Sequence, residues 1–214
     1  AFSAFQFSQT KTLKIQKDSH IVLLGNNLGS REMNYGYFET EMQLRYPDYS
    51  LFIRNMSDGG DTPGFRPRAN RNDPWPFPGA EKFQTELATN SNSEGHMESD
   101  DQWLTRLKAD VIIAFFGYNE SFNGKAGLAN YKAELDAFVK HTLAQKYNGG
   151  SAPQLALVSP IAFEDLTAKF DLPNGKKENA NLALYAQAMK EVAEQNSRGN
   201  NQVIYVDAFT PSQN

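Results

Sequence analysis

Five short apolar segments recur along the chain, separated by polar stretches that are compatible with helices. They lie at residues 21–24, 50–53, 111–116, 155–158 and 203–206. A run of four to six apolar residues bounded by turn residues is typical of a strand that is buried on both faces. Strands that alternate with helices favour a parallel sheet covered by helices on both sides. The sequence therefore predicts a three-layer α/β/α protein with a five-stranded parallel sheet.

The segments between the strands predict the helices. Residues 128–143 and 182–192 carry apolar side chains at helical spacing, which is typical of amphipathic helices. Residues 100–108 predict a short helix, and residues from about 30 to 45 form a polar stretch that is compatible with a helix and that Pro47 ends. The run at 111–116 is the most apolar in the chain, so we expect it to be the central strand.

Composition and charge restrict the partners of this chain. Its 214 residues suffice for one domain, which we place at 20–214 behind an arm or leading strand at 1–19. A net charge of -4 argues against nucleic acid, and no apolar run approaches the roughly 20 residues that span a bilayer. Cysteine is absent, and no metal-binding, Walker or Gly-x-Gly-x-x-Gly motif occurs. We therefore predict neither a metal nor a cofactor.

Turn-forming residues follow each of the first three predicted strands. They are Gly25 to Asn27, the segment 55–62 that contains Gly60, and the segment 117–120 that contains Asn119. In isolation, glycine and asparagine after a strand indicate only a turn. Because ligands bind at the carboxyl ends of strands in parallel sheets, the three segments together predict a site at one edge of the sheet.

In this order and setting the three segments resemble the sequence blocks of the SGNH (GDSL-like) hydrolases. The first block of that family is Gly-Asp-Ser, the second is a turn with a key glycine, and the third is Gly-x-Asn-Asp. The resemblance spans about residues 20–210, and the segments 25–31, 65–68 and 117–122 look like a divergent bacterial branch with Gly-Asn-Asn in place of Gly-Asp-Ser. It implies the flavodoxin-like SGNH fold and hydrolysis of small acyl or carbohydrate esters. It also implies an extracytoplasmic protein, periplasmic or secreted, in which this domain accompanies others.

The resemblance also assigns roles to residues. Gly60 would offer its backbone amide, and Asn119 its side-chain amide, to the oxyanion of the transition state, with Thr62 bracing the turn. Asn27 stands where the serine nucleophile is expected, and Asn26 where the aspartate is expected. Since a carboxamide is not a competent nucleophile, the candidate replacement is Ser30, although serine near a helix start is more often a cap.

The expected base is a histidine in an Asp-x-x-His block after the fifth strand. Asp207 follows that strand closely, and no histidine follows it before Asn214, so this block is degenerate or lies beyond the given sequence. His96, in the long loop at about 56–99, is the remaining candidate base. We expect His20 and His141 to be solvated surface residues.

Two questions about the long loop stay open at this stage. Asp61 and Arg66, together with Asn26 and Glu120, could bind substrate. Alternatively, the arginines at 66, 68 and 71 pair with Asp61 and other nearby acids, which the balanced local charge favours. The aromatic residues at 75 and 77 either stack on a sugar or anchor the loop.

Three hypotheses about function follow. The first is an ester hydrolase for a small-molecule ester or carbohydrate ligand. The second is a catalytically silent domain that keeps the fold for ligand binding or assembly within a larger protein. The third is an interaction module that uses the N-terminal arm and the proline-rich loop.

Overall fold

The sheet has five parallel strands in the order β2-β1-β3-β4-β5. The computed structural model describes residues 12–68, 75–83, 97–197 and 203–213. The strands are β1 (His20–Gly25), β2 (Phe52–Asn55), β3 (Val111–Phe115), β4 (Gln154–Val158) and β5 (Val203–Val206). The central strand is β3, and all five of its side chains are buried. Both features confirm the sequence prediction.

Helices cover both faces of the sheet. They are α1 (Asn27–Tyr35), α2 (Tyr37–Arg45), α3 (Asp100–Arg106), α4 (Tyr118–Ser121), α5 (Leu128–Ala144) and α6 (Lys176–Asn196). One buried core joins the sheet to α3, α5 and α6, and a second core on the other face packs against α1 and α2. This is the three-layer α/β/α architecture, and no helix of the described part is long and apolar enough to cross a membrane.

The stretch at about 30–45 is helical as predicted, apart from one break. Two helices occupy this region, and α1 begins at Asn27, immediately after the turn that follows β1. They meet at Gly36, whose φ of 64° is left-handed. The backbone N–H of Gly36 donates to the carbonyl of Glu32 and so completes the last turn of α1. Glycine adopts this conformation at little steric cost, so Gly36 ends one helix where the next begins.

Strand β2 begins two residues later than predicted. Ser50 has a φ of 51°, which no extended strand accommodates, so pairing with β1 starts at Phe52 opposite His20. Before β1, residues 12–19 form no strand, while Leu13 and Ile15 pack against the core beneath α1 and α2. The remainder of the predicted N-terminal arm, residues 1–11, lies outside the described residues.

Candidate functional site

The carboxyl ends of β1, β3 and β4 meet at one edge of the sheet. Gly25 pairs with Phe115, and Phe115 pairs with Val158, so the residues that follow these strands are neighbours. Asn26 continues this pairing, because its backbone N–H donates to the carbonyl of Phe115 at 2.7 Å. The first and third predicted segments therefore converge, as the order of the strands required.

The side chains of Asn27 and Asn119 are in direct contact. Asn27 Nδ2 donates to Asn119 Oδ1 at 3.1 Å, and Asn119 Nδ2 donates to the carbonyl oxygens of Gly59 at 2.8 Å and Asp61 at 3.1 Å. Since a carbonyl can only accept, the two backbone contacts fix the orientation of the Asn119 amide. Both of its hydrogens are engaged in this conformation, so an oxyanion would have to displace one of these carbonyls.

The second predicted segment lies beside this contact. Gly60 is exposed, and its backbone amide makes no hydrogen bond to a described residue. Thr62 braces the turn as predicted, because its hydroxyl donates to Glu134 Oε1 at 2.6 Å and accepts from the backbone N–H of Phe65 at 3.1 Å. A rigid turn thus presents a free backbone amide close to Asn27 and Asn119.

An apolar cleft of about 340 Å³ opens next to the paired asparagines. Asn26 and Asn27 line it, together with Tyr118 of the third predicted segment and two tyrosines that sequence reasoning missed, Tyr35 and Tyr37. Ser159 also lines it, but this serine is fully buried and its Oγ accepts the backbone N–H groups of residues 208 and 209. That hydroxyl therefore holds the loop after β5 and is not presented to a ligand.

Comparison with solved structures identifies the fold. A gut microbial diltiazem-metabolizing enzyme superposes with a TM-score of 0.61 at 13% identity, over 94% of this chain and 39% of that one. A protein classed as a GDSL-like lipase from Parabacteroides merdae gives 0.52 at 14% identity, over 86% and 77% of the two chains. A carbohydrate acetylesterase from Xanthomonas citri gives 0.51 at 12% identity, over 88% and 49%. This chain has the SGNH-hydrolase fold.

The likeness to these SGNH-fold proteins is one of architecture. No family model and no curated protein matches the sequence. The chain spans about two fifths of the length of the diltiazem-metabolizing enzyme, and identities of 12–14% leave the chemistry open. Because unrelated functions share one fold, activity has to be argued from the site itself.

Ser30, the candidate nucleophile, lies in the first turn of α1. Its backbone N–H donates to the carbonyl of Asn26 at 3.0 Å, and Asn26, not Ser30, is the N-cap of the helix. Ser30 does not line the cleft, whereas Asn27 does. The residue that the resemblance aligns with the serine nucleophile, Asn27, thus presents a carboxamide to the cleft.

The side chain of Glu120 connects the residues that follow β1 and β3. Its Oε2 accepts the backbone N–H of Gly117 at 2.8 Å and the side-chain amide of Asn26 at 3.3 Å, and both side chains are buried. Burial, and after it the nearby carboxylate of Glu134, raise the pKa of Glu120 to about 8 against the lowering effect of the N–H donors. Glu120 is therefore mostly neutral at pH 7.

Replacing Glu120 by glutamine should flatten the pH dependence of stability. The pKa of about 8 in the folded state lies above the ordinary value of 4.5, so the folded protein binds more protons than the unfolded chain between these values. The free energy of unfolding then falls as the pH rises from 4.5 to 8. Glu120→Gln keeps the accepting oxygen but does not titrate. Between pH 5 and pH 8 its free energy of unfolding should therefore fall by about 2–4 kcal/mol less than that of the parent.

Urea denaturation at pH 5, 6, 7 and 8 measures this difference. Other titrating groups, such as Asp61, are present in both proteins, so their contributions cancel in the comparison. If the free energy of unfolding declined equally with pH in parent and variant, Glu120 would be ionised across pH 5–8, and the prediction would be contradicted.

The acids and arginines of the long loop pair with one another. Arg68 binds both carboxylate oxygens of the buried Asp61 at 2.6 Å, which confirms the pairing hypothesis for these two residues. Burial raises the pKa of Asp61 to about 6, although its bonds with Arg68 oppose the shift. Arg66 is buried against Asp100, with Nη1 3.1 Å from Oδ2. Neither Asp61 nor Arg66 lines the cleft, and residue 71 lies outside the described residues.

The aromatic side chains of this loop anchor it to the body of the protein. Phe77 is buried in the core that contains α5, and Trp75 packs against that core and contacts the Phe65 ring at 5.7 Å between centroids. Of the two interpretations left open by the sequence, anchoring is the one that the contacts support.

The described histidines lie away from the cleft. His20 begins β1 at the opposite edge of the sheet, with Nδ1 2.6 Å from the carbonyl oxygen of Leu107. The prediction of a solvated His141 is wrong, because its Nε2 lies 2.9–3.0 Å from both carboxylate oxygens of Asp101 and its ring stacks on Phe77. His96 lies outside the described residues, so its candidacy as the base stays a prediction.

Proposed function

We propose that this chain is an SGNH-type hydrolase domain that acts on small acyl or carbohydrate esters. The observation that carries the proposal is the contact at 3.1 Å between Asn27 and Asn119, beside Gly59 and Gly60 and at the mouth of an apolar cleft. Amide donors thus lie next to a cleft that can hold an uncharged group. Recognition of an ester carbonyl requires both of these features.

The donors of this corner suit the chemistry of acyl transfer. The backbone amide of Gly60 has no described acceptor, and Asn27 Nδ2 uses one of its two hydrogens on Asn119. A preorganised donor to a developing oxyanion contributes about 3–4 kcal/mol to stabilisation of the transition state. The proposal further requires a nucleophile and a base, and Ser30 and His96 are the candidates that the sequence supplies.

Hydrolysis of p-nitrophenyl acetate and butyrate, run alongside labelling by a fluorophosphonate probe, tests the proposal. We expect turnover above the uncatalysed rate and a single adduct. Both should disappear in Ser30→Ala and His96→Ala, and Asn119→Ala should lower kcat about 10²–10³-fold. The matched control is Ser151→Ala, which removes an exposed hydroxyl in the turn before β4, at the opposite edge of the sheet. No turnover and no adduct, in protein whose fold is verified by circular dichroism, would overturn the proposal.

A second candidate is a silent domain that binds a carbonyl ligand without cleaving it. Its support is that both amide hydrogens of Asn119 bond to backbone carbonyls, and that a carboxamide, Asn27, stands where the resemblance expects the serine. Saturation by a non-hydrolysable amide, detected by NMR in a sample that turns over no ester, would establish this candidate instead.

A further inference from the structure

The cleft beside the asparagine pair is built for an uncharged, apolar group. Leu28 and Phe115 contribute apolar side chains from α1 and β3, while Val158, Pro160 and Ile161 contribute them from the end of β4. Asn26 and Asn27 line it with neutral carboxamides on the side where an ester carbonyl would lie. An apolar wall with a few polar groups at one end is the usual arrangement of a small-molecule site.

Aromatic rings extend this surface beyond the cleft. Tyr35 and Tyr37 flank Gly36, and their rings are stacked with centroids 6.1 Å apart and planes within 5°. Their exposed fractions are 66% and 72%, although both belong to a residue type that gains from burial. Exposed aromatic surface next to a cleft indicates a ligand site, since isolated proteins seldom leave contiguous apolar patches uncovered.

The charged residues that line the cleft do not favour a charged ligand. Arg31 and Glu32 both line it, and neither has an ion pair within the described part of the chain. One cation and one anion on adjacent positions of α1 leave no net charge to attract a charged ligand. An uncharged ligand is therefore the better match to this lining.

The cleft has room for a group larger than acetyl. A water molecule takes about 30 Å³ of liquid, so about 340 Å³ holds far more than the single methyl group of an acetyl ester. We propose that the cleft binds an uncharged apolar moiety of four or more carbons, an aliphatic chain or an aryl ring, attached to the carbonyl held at Asn27. That the carbonyl belongs to an ester rests on the proposed function.

Two series of uncharged amides test the inference without any turnover. Acetamide, butyramide and hexanamide lengthen the acyl side, and N-butylacetamide lengthens the side of the leaving group. Titrations followed by saturation-transfer NMR should show affinity rising about fourfold per added methylene in the series that enters the cleft. Tightening in the first series assigns the cleft to the acyl group, and tightening of N-butylacetamide alone assigns it to the leaving group.

Two tryptophan substitutions test whether the cleft causes the dependence of amide affinity on chain length. Ile161→Trp fills space in the cleft from a position that is already 47% exposed. It should weaken hexanamide binding at least tenfold and leave acetamide unchanged. Leu184→Trp, on α6 and 39% exposed, adds the same ring outside the cleft and should change neither affinity.

The outcomes separate this inference from the proposed function. Affinity that does not rise with length in either series, or an equal loss in both tryptophan variants, would overturn the inference. Ester hydrolysis that favours acetyl esters would overturn it too while leaving the proposed function standing. A chain-length dependence that Ile161→Trp abolishes, in a protein that hydrolyses no ester, would support the cleft and defeat the hydrolase.

Discussion

Gly25→Ala is expected to lower the free energy of unfolding by about 3–5 kcal/mol, a large part of the roughly 5–15 kcal/mol that stabilises a typical protein. Gly25 ends β1 with a φ of 116°, and a Cβ there would lie 2.1 Å from the carbonyl oxygen of Phe115 and 2.6 Å from its carbon. These are backbone atoms of the neighbouring central strand, so they cannot move aside as a flexible side chain could. The same carbonyl accepts the N–H of Asn26, so the added methyl group would also displace the first turn of the site.

Gly36→Ala is the matched control for this prediction. Gly36 also has a positive φ, 64°, but nothing lies within 4 Å of an added Cβ. The control therefore carries the backbone strain without the collision, at a cost of about 1 kcal/mol. Urea denaturation of both variants measures the difference. A Gly25→Ala protein as stable as Gly36→Ala would show that β1 and β3 can separate at this point without penalty.

The strands of this fold could be predicted from the sequence because burial on both faces makes each one an apolar run. β5 was predicted to the residue, and β3 and β4 to within one residue at one end. The exceptions arose where one backbone angle outweighed composition. Ser50 is in the left-handed region and delays β2, and Gly36 interrupts a segment whose composition favours one helix. Neither φ value can be read from hydrophobic periodicity.

The location of the site could also be predicted, since it follows from the order of parallel strands. The contact between Asn27 and Asn119 could not, because it depends on the side-chain conformations of two residues 92 positions apart. Tyr118 lay within a predicted segment but was given no role, and Ile161 was missed although it lies just beyond a predicted strand end. Tyr35 and Tyr37 carried no such signal, because they reach the cleft only when the chain turns at Gly36.

Arg66→Met is expected to lower the free energy of unfolding by about 3–5 kcal/mol. The guanidinium group of Arg66 and the carboxylate of Asp100 are each 2% exposed and lie 3.1 Å apart. The guanidinium group also donates to the carbonyl oxygens of Thr62 and Pro63 and lies 4.9 Å from the centre of the Phe138 ring. Methionine retains the apolar contacts but leaves the charge of Asp100 buried without this cation. The loss of the cation therefore accounts for most of the expected destabilisation.

An exposed pair provides the comparison for this change. Arg45 and Glu41 are 73% and 62% exposed on α2, with Nε 3.4 Å from Oε2. Arg45→Met should cost less than about 1 kcal/mol, because water already solvates both charges. Denaturation in urea, with the slope of the transition checked for constancy, compares the two variants on one scale. Equal losses at positions 66 and 45 would mean that burial does not strengthen the pair.

The double variant Arg66→Met/Asp100→Leu distinguishes charge from packing. If the loss in Arg66→Met comes from burying the Asp100 carboxylate without this cation, removing that carboxylate as well should restore part of the stability. The sum of the two single losses should then exceed the loss in the double variant by about 1–3 kcal/mol. If the losses simply add, the contacts of Arg66 with the loop carbonyls carry the stability. In that case the loop from Thr62 to Arg66, which begins one residue after the Asp61 carbonyl that holds Asn119, depends on those hydrogen bonds. Ligand affinity at the cleft should then fall in Arg66→Met and stay low in the double variant, whereas recovery of both stability and affinity would assign the effect to the buried charge.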